Sequence, residues 1–366
     1  SIYDVPRAGI NIGDGCWGGH LIEHCDIFDT VLETGDHGSF NSWGRDRYWH
    51  PDVRIVEKQV AADPRLPFLD VVRTIILRNN RWRCDHGWDI DLDDGSSRYE
   101  IYNNLLLRGG LKLREGYGRT VTNNVIIGNS LHPHVWFESS GDVFRQNIVM
   151  GAYRPARMND LAKWGQELDR NLFATTEAHR RKFEAKGCDA NSLTGDPLFV
   201  DAAKGDFRVK EGSPALKLGF VNFAMNEFGV RTPRLRAMAR TPEIPSVVLG
   251  GSPFTEGPAA TELHWQGATL RNLEHYEFSA VGVAADTGGA YVTHLSVESP
   301  AYAAGLRKGD LIVAVDGRPV KTVGDLLLKT GASEAKPLEL VIVRNQTRIL
   351  LLGTEQRSRP ATAAEG

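Results

Sequence analysis

Cysteine is scarce in this chain and none of it sits in a metal or redox spacing. Cys16, Cys25, Cys84 and Cys188 form no C-x-x-C pair, which argues against a zinc ribbon or a thioredoxin-type site and leaves the reading of buried thiols acting as small hydrophobes. Charge of one sign is also lacking: a formal net charge of -3 over 366 residues gives no broad basic face for a nucleic acid. No apolar run approaches the roughly 20 residues that cross a bilayer, so no membrane span is expected. The opening residues, SIYDVPRAGINIGDG, have neither the basic start nor the apolar core of a signal peptide. They enter directly on coil-like sequence, so further coils and a signal sequence are expected to lie outside this chain. The glycines of GINIGDGCWGG (9 to 19) are followed by no G-K-[ST] and no helix, which excludes a phosphate loop and fits tight corners instead.

What is present is a repeat. Asn80, Asn104, Asn124, Asn147 and Asn171 each precede branched or aromatic residues, at steps of 24, 20, 23 and 24. Between them lie short alternating runs, Ile90 and Leu92, Leu111 and Leu113, Val135 and Phe137, with polar residues between. A unit of this length without helical periodicity suits one coil of a parallel β-helix, whose neighbours stack to share a core. A leucine-rich repeat is disfavoured because L-x-x-L-x-L does not recur. The asparagines are then expected at one corner, bonded to those of adjacent coils. A mainly β fold follows: a parallel β-helix over residues 1–220, with an insertion from His50 to Asp70 and a last coil closing in 194–220.

Residues 221–275 are Pro-rich and aperiodic and read as a linker or strap. Residues 276–353 alternate strands with two short helices, and SPAYAAGLRKGDLIVAVDGRPV within them resembles a bacterial PDZ domain, a small α+β fold. That resemblance implies binding of a peptide C-terminus by strand addition, with SAVGV (279 to 283) standing where the carboxylate loop is expected. The tail 354–366 reads as disordered.

The chemistry-bearing stretch is WDIDLDDGSSRYEIYNNLLLRGGLKLREG (88 to 116). If Ile90, Leu111 and Val135 point inward, Asp89, Asp91 and Asp93 point outward on one coil, Lys112 and Arg114 on the next, and His134 and Trp136 on a third. Coils about 4.8 Å apart and alternate residues roughly 6.6 Å apart place carboxyl pairs in the range of about 5 to 9.5 Å that glycoside hydrolysis uses. Asp91, Asp93 and Glu115 are the candidate catalytic acids. Asp36, His37, Trp43, Arg45, Asp89, Lys112, Arg114, His132, His134 and Trp136 are the candidate sugar-binding groups, the aromatics for stacking and the others for hydroxyls or a carboxylate. The bland alternative is a sign-alternating ladder that neutralises a solvated sheet.

TGDHGSFNSWGRDRYW, WDIDLDDGSS, GGLKLREG and HPHVWF look like the right-handed parallel β-helix carbohydrate-active proteins of bacterial polysaccharide-degrading systems, similar to the family 141 and family 120 glycoside hydrolases. The resemblance implies a secreted or periplasmic hydrolase of a plant or algal polysaccharide or oligosaccharide, with Asp93 or Asp91 attacking or activating water, Glu115 as acid, and no cofactor. Two rivals remain: a lyase with Ca²⁺ on Asp89, Asp91 and Asp93 and with Lys112 or Arg114 as base, and a non-catalytic glycan-binding adaptor tethered through the PDZ unit.

Overall fold

The computed structural model describes residues 1–158, 160–250, 262–330 and 338–352. Two compact units divide the chain, Ser1–Glu256 and Gly257–Gly366. The expected disordered tail, 354–366, lies outside the described residues.

In the first unit the chain visits three parallel sheets in rotation. Ile10–Gly13, Gly38–Trp43, Trp88–Asp93, Leu111–Leu113 and Leu131–Pro133 build one sheet of five strands. Leu21–Glu23, Ile75–Arg78, Tyr99–Tyr102, Thr120–Thr122, Val143–Arg145 and Glu167–Asp169 build a second. The third has seven short strands, from Asp26–Ile27 through Leu105–Leu106 and Val125–Ile126 to Leu193–Thr194. Inward residues of all three, among them Ile90, Leu111, Leu131, Ile101, Val121, Leu106 and Ile126, form one buried core.

The corner between the second and third sheets is set by the asparagines. The residue before each adopts the left-handed conformation, Asn79, Asn103, Asn123, Gln146 and Arg170 having φ between 53° and 58°, a region that asparagine tolerates better than most residues. The chain turns there and aims the next side chain into the corner. Asn80 Nδ2 donates to Asn104 Oδ1 at 3.1 Å, Asn104 to Asn124 at 3.1 Å, Asn124 to Asn147 at 3.0 Å and Asn147 to Asn171 at 3.2 Å. The backbone N–H of each donates to the same acceptor, as Asn104 N does to Asn124 Oδ1 at 2.9 Å. The repeat is thus a hydrogen-bonded ladder, as its spacing predicted.

Register on the five-stranded sheet differs from expectation at one rung. Leu111 pairs with Ile90 on one side and with Leu131, not Val135, on the other, so Lys112 stands over Asp91 and under His132. Val135 and Phe137 follow that strand; Phe137 packs with Tyr48, Tyr117, Val56 and Val60, the last two from the helix Val53–Ala62. That helix is the body of the His50–Asp70 insertion, and Asp52 caps its start by accepting from Arg54 N at 3.1 Å.

Residues 194–220 do not close a further coil. Phe199–Asp201 and Asp206–Val209 pair antiparallel, and Phe207 and Val209 join Phe220, Phe223, Met225 and Phe228 against the outward side chains Leu105, Val125, Ile148 and Leu172. The third sheet is therefore apolar on both faces, and residues 221–250 act as its strap.

The second unit holds an antiparallel sheet in the order Leu263–Trp265, Ala268–Arg271, Ala290–Leu295, Leu311–Val315, Glu339–Arg344, Thr347–Leu352. Helices Pro300–Ala303 and Val323–Thr330 complete it, around a core that includes Trp265, Leu270, Val292, Ile312, Leu326 and Ile342. Residues 263–271, expected in the linker, are its first hairpin.

Candidate functional site

Polar residues on alternate positions of the five-stranded sheet converge on one buried ammonium. Lys112 Nζ lies 2.8 Å from Asp91 Oδ1, 3.4 Å from Asp93 Oδ1 and 3.9 Å from Asp36 Oδ1, and 4.1 Å from the centroid of the Trp88 ring. The column through it runs Asn11, Asn41, Asp91, Lys112, His132. Arg114, one alternate step along, lies 3.3 Å from Asp93 Oδ1, 3.4 Å from Asp94 Oδ1 and 2.7 Å from Glu115 Oε2. Two cations thus knit four carboxyls, with Asp36 at the edge.

Burial splits the protonation states. Burial pushes the Asp91 carboxyl well above its ordinary value, against the pull of Lys112. Asp93 feels the same burial, but Lys112 and Arg114 together outweigh it and hold this carboxyl below the usual range. Glu115 is raised by burial despite Arg114. Burial draws the Lys112 ammonium down, but Asp91, Asp93 and Asp36 overcome it and leave the group more basic than a free lysine. Two carboxyls in one cluster driven in opposite directions is the pattern of an acid–base site and also of a structural ion-pair network.

Access separates those two possibilities residue by residue. The Lys112 and Asp91 side chains are fully enclosed, Arg114 and Glu115 are 3% exposed, Asp93 is 18% exposed and Asp36 is 52% exposed. Trp49 Nε1 donates to Glu115 Oε1 at 3.2 Å and half-buries itself above it. Arg45 reaches Asp94 Oδ2 at 2.7 Å while its guanidinium stacks between the rings of Trp43 and Trp49, 5.3 and 4.9 Å from their centroids. Trp43, directly paired with Asp93, keeps 37% of its surface exposed. The open rim therefore consists of Asp36, Trp43, Arg45 and Asp93.

His37 lies beside this rim, its Nε2 accepting from Arg7 Nε at 3.0 Å; burial, then Arg7, lowers its pKa. His132 and His134 are buried against the edge of Trp88, ring centroids 6.3 and 6.2 Å away, and His132 Nε2 meets Asn129 Oδ1 at 2.7 Å. Burial drives both well below the ordinary histidine value, with Arg154 and Lys112 adding to it for His132, and Lys112 and His132 for His134. Both are enclosed and neither reaches the open rim.

Several expected site residues lie elsewhere. Asp89 is a structural clamp: its carboxylate accepts from the backbone of Cys84 at 2.7 Å, Arg108 at 3.0 Å and Gly110 at 3.2 Å, and burial, opposed by these donors, raises it to about 7. Trp136 lies in the core with its Nε1 donating to Leu113 O at 2.7 Å, because the strand ends at Pro133 and the left-handed backbone of Val135 (φ 54°) breaks the alternation that would have turned it outward. The calcium alternative does not fit these residues. Asp89 faces backbone donors, and an ion between Asp91 and Asp93 would have to displace the Lys112 ammonium. No group of three metal-ligating side chains occurs among the described residues. Lys112 and Arg114, enclosed and held protonated, are poor candidates for a base. Of the cysteines, Cys84 and Cys188 are buried as expected, Cys25 is partly buried and Cys16 is exposed.

Trp49 and Arg7 were not foreseen. Trp49 had a signal in the length of TGDHGSFNSWGRDRYW (34 to 49), which outruns one strand and folds its end back over the next coil. A cavity of about 310 Å³ near Asp26, Arg81 and Arg240 shares no lining residue with the cluster.

A family model described as "PDZ domain" matches residues 291–344, and the chain carries a PDZ domain at its C-terminal end. Among solved structures, the HtrA3 PDZ domain bound to a phage-derived ligand (FGRWV) is 24% identical with a TM-score of 0.22, over 27% of this chain and 89% of that one. A serine-to-alanine variant of the HtrA-type protease AlgW with a decapeptide is 22% identical with a TM-score of 0.22, over 30% of this chain and 33% of that one. The chain thus spans about a third of that protease. No curated protein matches this chain.

Proposed function

We propose that the first unit is a right-handed parallel β-helix of the carbohydrate-active type and that it hydrolyses glycosidic bonds in a plant or algal polysaccharide, in a secreted or periplasmic setting. The observation that carries this reading is the placement of Asp36 and Asp93 around the Lys112 ammonium, with Trp43 and Arg45 on the same open rim. Their Oδ1 atoms can be no farther apart than the 3.9 and 3.4 Å arms laid end to end, which is compatible only with the lower part of the span of about 5 to 9.5 Å used by glycosidase carboxyl pairs. A reacting carboxyl must touch substrate, so Asp93 takes the role of nucleophile or base, kept ionised by two cations, and Asp36 is the second carboxyl. Glu115, sealed beneath Trp49 and bonded to Arg114, holds that arginine against Asp93 and does not act as the acid.

The cation that would serve a lyase as base is enclosed and protonated, which favours hydrolysis over elimination. For the second unit, the PDZ assignment supports binding of extended peptides by strand addition. Reducing-end release by the full chain and by Asp93→Asn tests the hydrolase reading.

A further inference from the structure

We propose that the PDZ unit carries its own occupant: Leu263–Trp265 fills the strand-addition edge, and an extended peptide of the pattern apolar-x-aromatic must displace it to bind. Ala268–Arg271 has two neighbours, Ala290–Leu295 on one side and Leu263–Trp265 on the other. Removing the latter would leave Ala268–Arg271 as a free edge, the kind of edge that recruits an extended chain.

The added strand is placed as a ligand would be. It runs antiparallel, with Leu263 opposite Leu270 and Trp265 opposite Ala268. Trp265 and Leu263, two residues apart, point toward the core of the unit while His264 points out to solvent. Trp265 Nε1 donates to Thr330 Oγ1 at 3.1 Å at the end of the helix Val323–Thr330, and Asn272 Oδ1 accepts from Val323 N at 2.8 Å at the helix start. The helix therefore spans the length of Ala268–Arg271, and the tryptophan fills the apolar slot at its far end.

Only three residues pair, and they are joined to their partner strand by the two-residue turn Gln266–Gly267, both with positive φ (47° and 79°), the geometry of a tight hairpin. A short strand makes few bonds and is weak by itself, but a two-residue tether gives it an effective concentration of about millimolar or more. A weakly binding peptide is excluded and a strong one is admitted.

The test uses the full chain and a fluorescent peptide, TELHW with a free C-terminus, which copies residues 261–265. Trp265→Ala empties the slot while keeping the turn. It is expected to bind this peptide at least about tenfold more tightly than the unaltered chain, with amides of Ala268–Arg271 gaining hydrogen-exchange protection on binding. Equal affinity for both chains, or no binding to a variant whose amides in Leu311–Val315 remain protected, overturns the proposal. Should Trp265→Ala fail to fold, Leu263→Asp carries the same comparison, since Leu263 is only half-buried.

Discussion

The Lys112 ammonium sits 2.8 Å from the Asp91 carboxylate with both side chains closed off from solvent. Neither group can meet a substrate in that state, so the pair is a foundation on which Asp93 and Asp36 are held. Breaking a buried pair of this kind destabilises far more than replacing both partners with apolar groups. Lys112→Met, which strands Asp91 without a cation and leaves Asp93 with Arg114 alone, is expected to cost about 3–5 kcal/mol. Lys112→Met with Asp91→Leu should recover a large part of that loss. Chemical unfolding of the single and double variants checks it; a double variant as unstable as the single would show that the pair contributes more than charge neutralisation.

Asp91 also predicts a pH dependence. Its native pKa lies above the unfolded value of about 3.9, so the native state holds an extra proton in the window between the two. Its contribution to stability is complete below about 3.9 and declines as pH rises toward the raised native value. Asn at this position does not titrate. The stability gap between the unaltered chain and Asp91→Asn should narrow as pH rises from about 4 toward the raised native value. Thermal unfolding across that range decides the matter, and a gap that stays constant would mean Asp91 ionises normally.

The asparagine ladder should fail locally when a rung is removed. Asn124 Nδ2 donates to Ile101 O at 2.9 Å and Thr122 O at 3.0 Å, and Asn124 Oδ1 accepts from Asn104 N at 2.9 Å. Asn124→Ala leaves buried groups without those partners, at about 1–3 kcal/mol for each one left unsatisfied. Denaturant unfolding is expected to show a loss of at least about 2 kcal/mol, and hydrogen exchange should quicken at Asn104 before more distant coils. A neutral result would mean water replaces the amide.

Much of this was legible in advance, and the failures have physical causes. The asparagine steps contained the correct register: the 20-residue step from Asn104 to Asn124 is also the step from Leu111 to Leu131. Pairing Leu111 with Val135 ignores it, and the strict alternation that puts Trp136 outside fails because the strand ends at Pro133 and Val135 turns with a φ of 54°. Alternation correctly separates Ile90 and Leu92 from Asp91 and Asp93, but it says nothing of what covers an outward face. Here the chain around Trp49 covers it, turning Glu115 from an exposed acid into an enclosed partner of Arg114. Asp89 shares its face with Asp91 yet serves three backbone amides of neighbouring turns, a role fixed by loop geometry that no spacing encodes. In the second unit the sequence reads SAVGV as a ligand loop. Ser279–Val281 are instead buried in a short helix, and the hairpin turn before Ala268 was hidden in sequence read as linker.

The most direct measurement is reducing-end release from a panel of plant and algal polysaccharides by the unaltered chain, Asp93→Asn and Asp36→Asn, with a chelator present and melting temperatures matched. The account predicts release that resists the chelator and falls about a hundredfold or more in Asp93→Asn, with a comparable loss in Asp36→Asn. Full release by Asp93→Asn, or an unsaturated product absorbing in the ultraviolet, would contradict it.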